Sequence, residues 1–406
     1  MQFRDQFLFP KGPDGRDVAY LAGNSLGLQP KKTREWVDQE LEDWAQLGVE
    51  GHFHGRHPWL SYHELLTAST ARLVGALPVE VVVMNTLTVN LHLMMMSFYR
   101  PTSSRYRIII EKGAFPSDQY AVASQARLHG FDPATAIVEL TPRHGEDTLR
   151  PDDILATIER EGQSTALVLI GNVNYLTGQA FDIAMITRTA HAQGCRIGFD
   201  LAHGAGNLKL HLHDHGPDFA VWCSYKYINA GPGSLAGVFV HERHAKDWSL
   251  PRLAGWWGHD KSLRFKMEKA FVPIVGAEGW QLSNPPILQL AALRASMDIF
   301  DRAGMDWIRT QSVALTGKLE QLLASLPPEF CEILTPRDPN QRGAQLSLRI
   351  KDGAAAVVKR LGEAGVVCDF RAPDVIRVAP VALYNTVADL ERFVAILGSF
   401  RGRHGS

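Results

Sequence analysis

The chain has few cysteines, no surplus of either charge, and no apolar run long enough to span a bilayer. Its four cysteines, Cys195, Cys223, Cys331 and Cys368, include no C-x-x-C pair. That spacing argues against a disulfide framework or a thiolate metal knuckle. Free thiols in or beside apolar runs point instead to a reducing compartment. Lysine and arginine total 42 against 43 for aspartate and glutamate, a formal net charge of −1. Nucleic acid and anionic membranes demand a basic excess that this composition does not have. The most apolar stretch, residues 87–99, is shorter than the roughly 20 residues of a membrane helix and is broken by polar residues. Met1-Gln2-Phe3-Arg4-Asp5 shows no basic region followed by an apolar core, so no secretory signal is expected. Repeats and low-complexity segments are missing too. The expectation is a soluble cytoplasmic protein with a small-molecule partner, no nucleic acid and no membrane.

What is present is apolar patterning. The sequence is 45% hydrophobic, enough for a large core and for more than one packed unit. Residues 31–47 place Trp36, Val37, Leu41, Trp44 and Leu47 near a 3.6-residue period, which predicts a helix with Trp36 and Trp44 on its core face. A second helix is expected over residues 61–75. From about residue 105, short β-branched runs alternate with helical segments. The strands are expected at Tyr106–Ile110, Ala136–Leu140, Ala166–Ile170, Arg196–Asp200, Phe219–Cys223 and Ala236–Val240, with a crossover helix over 182–193. Near-continuous apolar strands in this rhythm predict an α/β fold with a largely parallel sheet covered on both faces. After Pro285-Pro286 the rhythm changes. Residues 288–326 read as helical, followed by strand Gln345–Ile350, helix Ala354–Glu363 and strands Val366–Phe370 and Val375–Val378, a smaller α+β unit. Arg403-His404-Gly405-Ser406 reads as a frayed tail.

Ligands of open α/β sheets gather at the carboxyl ends of strands. Two such ends carry chemistry here. Gly198-Phe199-Asp200-Leu201-Ala202-His203 brings a carboxylate and an imidazole to one. Ser224-Tyr225-Lys226-Tyr227, followed by Asn229-Ala230-Gly231-Pro232-Gly233, brings an amine to the other. A strand-end lysine can condense with the aldehyde of pyridoxal 5′-phosphate while an aspartate keeps the pyridine nitrogen charged. Spacing alone fits a solvated strand-end lysine as well. Gly231-Pro232-Gly233 lacks the Gly-Lys-Ser/Thr ending of a nucleotide-binding loop.

The local wording is more specific. GNSLGLQP (23–30), FPSDQYA (115–121), TGQAFDI (177–183), GFDLAHGAGN (198–207), CSYKYINAGPG (223–233), GWWGHD (255–260), RFKM (264–267), LSNPPI (282–287) and VVCDFRAPDVIRVAPVALYN (366–385) resemble the kynureninase family over nearly the whole chain. The resemblance implies the fold-type I architecture of pyridoxal-phosphate-dependent transferases. That is a large domain with a mainly parallel seven-stranded sheet, here residues 51–290, and a smaller α+β domain, here 1–50 with 291–406. It implies hydrolytic Cβ–Cγ cleavage of L-kynurenine or 3-hydroxy-L-kynurenine to anthranilate or 3-hydroxyanthranilate and L-alanine, in tryptophan catabolism and NAD precursor supply. It also implies a homodimer with active sites at the subunit interface.

Carried over by position, the resemblance makes Lys226 the Schiff-base lysine, Asp200 the pyridinium partner and His203 a neighbour of the ring. Leu87 and Thr88 fall on a phosphate-binding turn. Phe115 takes the place of the ring stacked on the cofactor, with Pro116, Ser117 and Asp118 behind it. Tyr225 is implied as a phosphate contact and proton donor. Trp256 and Asn284 are implied to reach the cofactor from the partner subunit, and Arg377 to grip the substrate carboxylate, a task suited to a guanidinium fork. Ser25, His52, Trp257 and Asn284 are implied on the substrate side. Gly171 departs from the serine of some relatives and can offer only its backbone N–H.

Two polar pocket residues, His52 and Asn284, favour 3-hydroxykynurenine as the better substrate, with kynurenine still accepted. The alternative is that His52 packs beside Trp257 and Asn284 serves the cofactor or the Pro285-Pro286 turn. His211, His213 and His215 form H-x-H-x-H, but no second cluster completes a ligand set, so a solvated loop is expected rather than a metal site. The rival functions are a cysteine desulfurase or aminotransferase of the same fold, and a non-catalytic pyridoxal-phosphate-binding regulator. A desulfurase needs a catalytic cysteine on a mobile loop. Loss of Lys226 or Arg377 would favour a regulator, but both are present, and no basic appendage of the kind a DNA-binding regulator carries is seen.

Overall fold

Seven short apolar runs become the strands of one sheet. The computed structural model describes residues 3–400; Met1, Gln2 and residues 401–406, with the expected tail, lie outside the described residues. The strands are Val81–Met84 (β1), Arg107–Glu111 (β2), Ile137–Leu140 (β3), Thr165–Gly171 (β4), Arg196–Asp200 (β5), Phe219–Cys223 (β6) and Ala236–Val240 (β7). They lie in the order β1-β7-β6-β5-β4-β2-β3. The pairs β2–β3, β2–β4, β4–β5 and β5–β6 are parallel. Only β7 runs against its neighbours, antiparallel to β6 and β1. The sheet is mainly parallel, as the fold-type I pattern requires.

Side chains alternate between two cores, as the two-residue period of a strand dictates. Along β2, Ile109 joins one core while Ile108 and Ile110 join the other. Along β6, Ala220 and Trp222 join the first, and Phe219 and Val221 the second. Both faces are therefore apolar, and both are covered. The N-terminal and central helices are Thr33–Leu47 (α1), Thr67–Val74 (α2), Leu87–Phe98 (α3), Pro116–Leu128 (α4), Pro151–Glu161 (α5) and Ile183–Ala192 (α6). Two long helices follow, Ile287–Ala303 (α7) and Met305–Leu323 (α8), and α1 packs against α7.

The C-terminal part builds its own sheet from Cys331–Ile333 (β8), Leu346–Ile350 (β9), Asp369–Arg371 (β10) and Val375–Val378 (β11), in the antiparallel order β8-β9-β11-β10. Helices Ala354–Glu363 (α9) and Val387–Gly398 (α10) accompany it. A third core sits here, with Leu319, Leu346, Leu348, Ile376, Val378 and Phe393, and it takes Ala19 and Leu21 from the N-terminal segment.

Four local expectations are corrected. Residues 61–75 begin as a 3₁₀ turn, Tyr62–Leu66, before α2. The run 366–370 is not one strand. Val366–Val367 pairs parallel to Ala19–Tyr20, whereas β10 pairs with β11, so the chain changes partner at Cys368. Trp44 is not core; it is 62% exposed. The buried face of α1 carries Glu40 and Asp43 instead. Glu40 is tolerated there because Trp59 Nε1 and the Tyr62 hydroxyl each donate to it at 3.0 Å. The 211–215 segment is not simply a solvated loop. Leu212–His215 forms a helical turn, and His213 Nδ1 lies 3.0 Å from Oε1 of the buried Glu80, with its ring stacked on His241. Glu80 also accepts the Leu77 and Glu242 N–H groups, and His241 Nδ1 accepts that of Arg243. Glu80, His213 and His241 thus bring three side chains of metal-ligating type within 4.8 Å of one another, a cluster the sequence spacing did not show.

Candidate active site

The ends of β2, β4, β5 and β6 frame a cavity of about 200 Å³. Its walls are Leu87, Thr88, Glu111, Phe115, Ser117, Asp118, Gly171, Val173, Tyr175, Asp200, Ala202, His203, Tyr225 and Lys226. Asp200 is the last residue of β5, and Lys226 stands just past β6. Gly171 ends β4 directly opposite Asp200 in the ladder. Neighbouring parallel strands thus deliver the carboxylate and the amine to one mouth, as the sheet topology predicts.

Each wall has a local cause. Asn85 takes a left-handed turn at φ 49° after β1. Asn90 Nδ2 ties back to the Met84 carbonyl at 2.8 Å, and Asn85 Nδ2 to Asn90 Oδ1 at 3.0 Å. That turn aims the first residues of α3 at the cavity. Thr86, its N-cap, makes no side-chain cap bond, so the opening N–H groups around Leu87 and Thr88 stay free for an anion. Pro116 starts α4, which carries Ser117 and Asp118 inward and leaves Phe115 at the mouth, edge-on to Tyr175 at 5.3 Å.

The electrostatics follow from burial. Lys226 Nζ lies 3.1 Å from His203 Nε2. Burial foremost, and then the Lys226 charge, pull the His203 imidazole well down, so it stays neutral. Burial also raises Asp200, against the pull of Lys226 and of the Ala202 N–H that its Oδ1 accepts at 2.6 Å. Asp118 is pushed well up, first by burial and then by the neighbouring Asp200. Burial lifts the Tyr225 phenol, which stays protonated.

The structure therefore gathers Leu87, Thr88, Phe115, Ser117, Asp118, Gly171, Asp200, His203, Tyr225 and Lys226 into one cavity. Pro116 is exposed at the head of α4. Arg377, on β11, stands one layer back and 1% exposed. Its Nη1 donates to the Tyr175 carbonyl at 2.7 Å, and its Nη2 to Asp369 at 2.5 Å. The others do not line the cavity of the single chain. Ser25 is exposed in the 23–30 loop. His52 hydrogen-bonds the Val49 carbonyl at 3.0 Å and meets Trp59, not Trp257. Trp257 is buried under Arg264. Trp256 is 44% exposed, and Asn284 is exposed. Sequence reasoning missed Glu111, Asn174, Tyr175 and Asp369. Only the short distance from Glu111 to the FPSD motif could have hinted at the first.

His203 Nδ1 is buried with no partner among the described residues. A free strand-end amine, a buried carboxylate and an uncapped helix start converge near that orphan. This donor set fits pyridoxal 5′-phosphate, with Lys226 for its aldehyde, Asp200 for its ring nitrogen and the α3 start for its phosphate.

Known proteins share this chain's sequence and fold. Residues 308–397 match the family model for the kynureninase C-terminal domain. A kynureninase from Myxococcus xanthus is 67% identical over 97% of this chain and 93% of its own length. One from Koribacter versatilis is 62% identical over the same shares. Among solved structures, the cystine C–S lyase C-DES superposes with a TM-score of 0.81 at 18% identity, over 96% of this chain and all of its own. A cysteine desulfurase from Thermococcus onnurineus gives 0.79 at 17%, over 98% and 96%. The solved structures establish the fold, and the sequence relatives establish the lineage: the chain belongs to the kynureninase family.

Proposed function

We propose that this cavity performs the kynureninase reaction, hydrolysis of the Cβ–Cγ bond of L-kynurenine or 3-hydroxy-L-kynurenine to release L-alanine and the aromatic acid. The observation that carries the residue assignment is the Lys226 amine inside a cavity floored by Asp200, 3.1 Å from a neutral His203. Pyridoxal 5′-phosphate, when bound, supplies the electron sink for the carbon whose bonds change.

The chain's residues supply the rest. Lys226 anchors the cofactor and moves the proton at the substrate Cα. Asp200 keeps charge at the ring nitrogen, with Asp118 beside it on the cavity wall. Leu87, Thr88 and Ser117 offer donors to the phosphate and Phe115 the stacking surface, while the Gly171 N–H is turned to the Glu111 carboxyl. Tyr225, held neutral by burial, donates a proton on the substrate's far side. Arg377 binds the α-carboxylate. Ser25, His52, Trp257 and Asn284 belong to the aryl side of the site, with Trp256 and Asn284 arriving from a second copy. Exposed rings support that assembly: Trp256 packs edge-on to Phe265 at 5.5 Å, and Phe265 meets Phe53 at 6.5 Å. All three are exposed in the single chain. A smaller α+β unit beside the large domain is supported by the separate third core, while Phe3, Phe7, Leu28 and Leu293 to Ile308 contribute to the first core, so the bounds 51–290 and 1–50 with 291–406 rest on the resemblance. A cytoplasmic setting is supported by four free cysteines. Among the described residues no helix is long and apolar enough to cross a membrane.

A desulfurase reading is disfavoured by the same cysteines. None lines the cavity. Burial lifts the Cys331 and Cys368 thiols to about 12 and raises those of Cys195 and Cys223, so none is a ready thiolate.

The test is chemical. The protein purified with pyridoxal phosphate should be yellow, and borohydride should abolish the band. Peptide mapping after reduction should place the pyridoxyl group on Lys226. An adduct on another lysine would overturn the assignment.

A further inference from the structure

Glu111 ends β2 at the cavity floor, and no role above uses it. It is 4% exposed. Its Oε2 accepts from Asn174 Nδ2 at 3.3 Å. A Cβ built on Gly171 would lie 2.8 Å from Glu111 Oε1, closer than real Cβ contacts allow. The carboxyl therefore occupies the space that a side chain at 171 would need. Asn174 links this corner to the opposite wall. Its Oδ1 accepts the Leu176 and Thr177 N–H groups at 3.0 and 2.9 Å, which fixes the turn carrying Tyr175. Tyr175 in turn holds Arg377 through its carbonyl and meets Phe115 through its ring.

We infer that Glu111 is a cofactor-positioning residue, its carboxyl standing in for the side chain that Gly171 lacks and tying the floor beside Asp200 to the Tyr175 wall through Asn174. The inference rests on the pyridoxal-phosphate reading of the cavity.

The charges around it are few and can be named. Asp118 comes from α4, Asp200 and His203 from the end of β5, and Tyr225 and Lys226 from the end of β6. The end of β4 brings Gly171 and Asn174, and β3 brings Leu140, none of them charged. Three carboxyls face one ammonium in a water-poor corner, so they cannot all ionise near neutrality. Burial first, and the Asp200 charge as well, lift Glu111 to about 7, while the Asn174 bond opposes the rise. Below that pH its carboxyl is neutral and adds no charge beside Asp200. Above it, a second negative charge appears and favours any protonated form of the bound cofactor.

Four variants are compared for pyridoxal-phosphate affinity and for the pH dependence of the cofactor's visible band, both without substrate. Glu111→Gln keeps the shape and the Asn174 contact. It should bind within about three-fold of wild type and move the band's pH midpoint downward, because a negative charge is lost. Glu111→Ala should weaken binding about ten-fold, the worth of one lost buried polar contact. Gly171→Ser alone should also weaken it, since its Cβ crowds Oε1. Gly171→Ser added to Glu111→Ala should restore it, because the hydroxymethyl group enters the emptied space. Should all four variants match a wild type that binds the cofactor normally, Glu111 has no positioning role. A wild type that takes up no pyridoxal phosphate would overturn the cofactor reading itself, and this inference with it.

Discussion

Arg377, proposed to grip the substrate carboxylate, stands in surroundings that favour a further anion. Its guanidinium is buried, yet one carboxylate, Asp369, serves both it and Arg371, whose Nη2 lies 3.3 Å away. Two cations share one anion, so one positive charge is left uncompensated close behind the cavity. Burial, with Arg371 adding to it, lowers Arg377, while Asp369 holds it up. A substrate carboxylate would complete this trio. Arg377→Ala should therefore keep the cofactor spectrum, because no cofactor contact is lost. It should raise KM by ten- to a hundred-fold, since a charge-assisted bond contributes about 1.5–3 kcal/mol. Arg371 is partly exposed and should matter less. Steady-state kinetics of both variants decide between them; a crippled Arg371→Ala beside a mild Arg377→Ala would exchange their roles.

Among the secondary-structure elements, the lysine-bearing turn is held from outside its own strand. Gly27 N–H donates to the Tyr225 carbonyl at 2.8 Å, and a Cβ there would run into the Lys226 carbonyl and Asn229. Asn229 itself sits at φ 58° and braces the turn by donating to the Tyr227 carbonyl at 2.8 Å. The 23–30 loop thus clamps the Lys226 turn through backbone contact that only glycine permits. Gly27→Ala should cost about 1–3 kcal/mol of overpacking, read as a lower urea midpoint together with weaker cofactor retention. Unchanged values for both would show that the loop yields without moving Lys226.

Most of the elements were legible in the sequence for plain reasons. β6, β7, β11 and α9 fall on the predicted residues because their apolar runs are bounded by turn residues. The helix α3 was not recognised, because it is apolar nearly all round and so shows no amphipathic period. Strand direction was not legible either, and β7 turned out antiparallel. The motif residues at strand ends, Asp200 and Lys226, could be placed because their spacing follows the chain. Glu111 and Tyr175 could not, since what matters about them is which neighbour's missing side chain or carbonyl they meet across the fold.

For the whole molecule, the single chain leaves its site open on one side. Phe115 stands half-exposed at the mouth, and Trp256, Phe265 and Phe53 present aromatic surface to solvent. Trp256 Nε1 is bound to the Arg264 carbonyl at 3.1 Å, which fixes the ring outward rather than toward the chain's own Lys226. A two-fold interface pairs the same patch on both copies, so two such sites would be completed together. That arrangement has a genetic signature. Lys226→Ala lacks the amine in both its sites, and Trp256→Ala lacks the donated ring in both of its own. A mixed dimer has one site with both defects and one with neither. Mixing the two inactive proteins under conditions that exchange subunits should return activity toward a quarter of wild type, given random pairing and one good site in each half-population of hybrids. Sedimentation should show a dimer at assay concentration. A monomer with full activity on dilution, or a mixture that stays as inactive as its parents after proven exchange, would mean that each chain completes its own site.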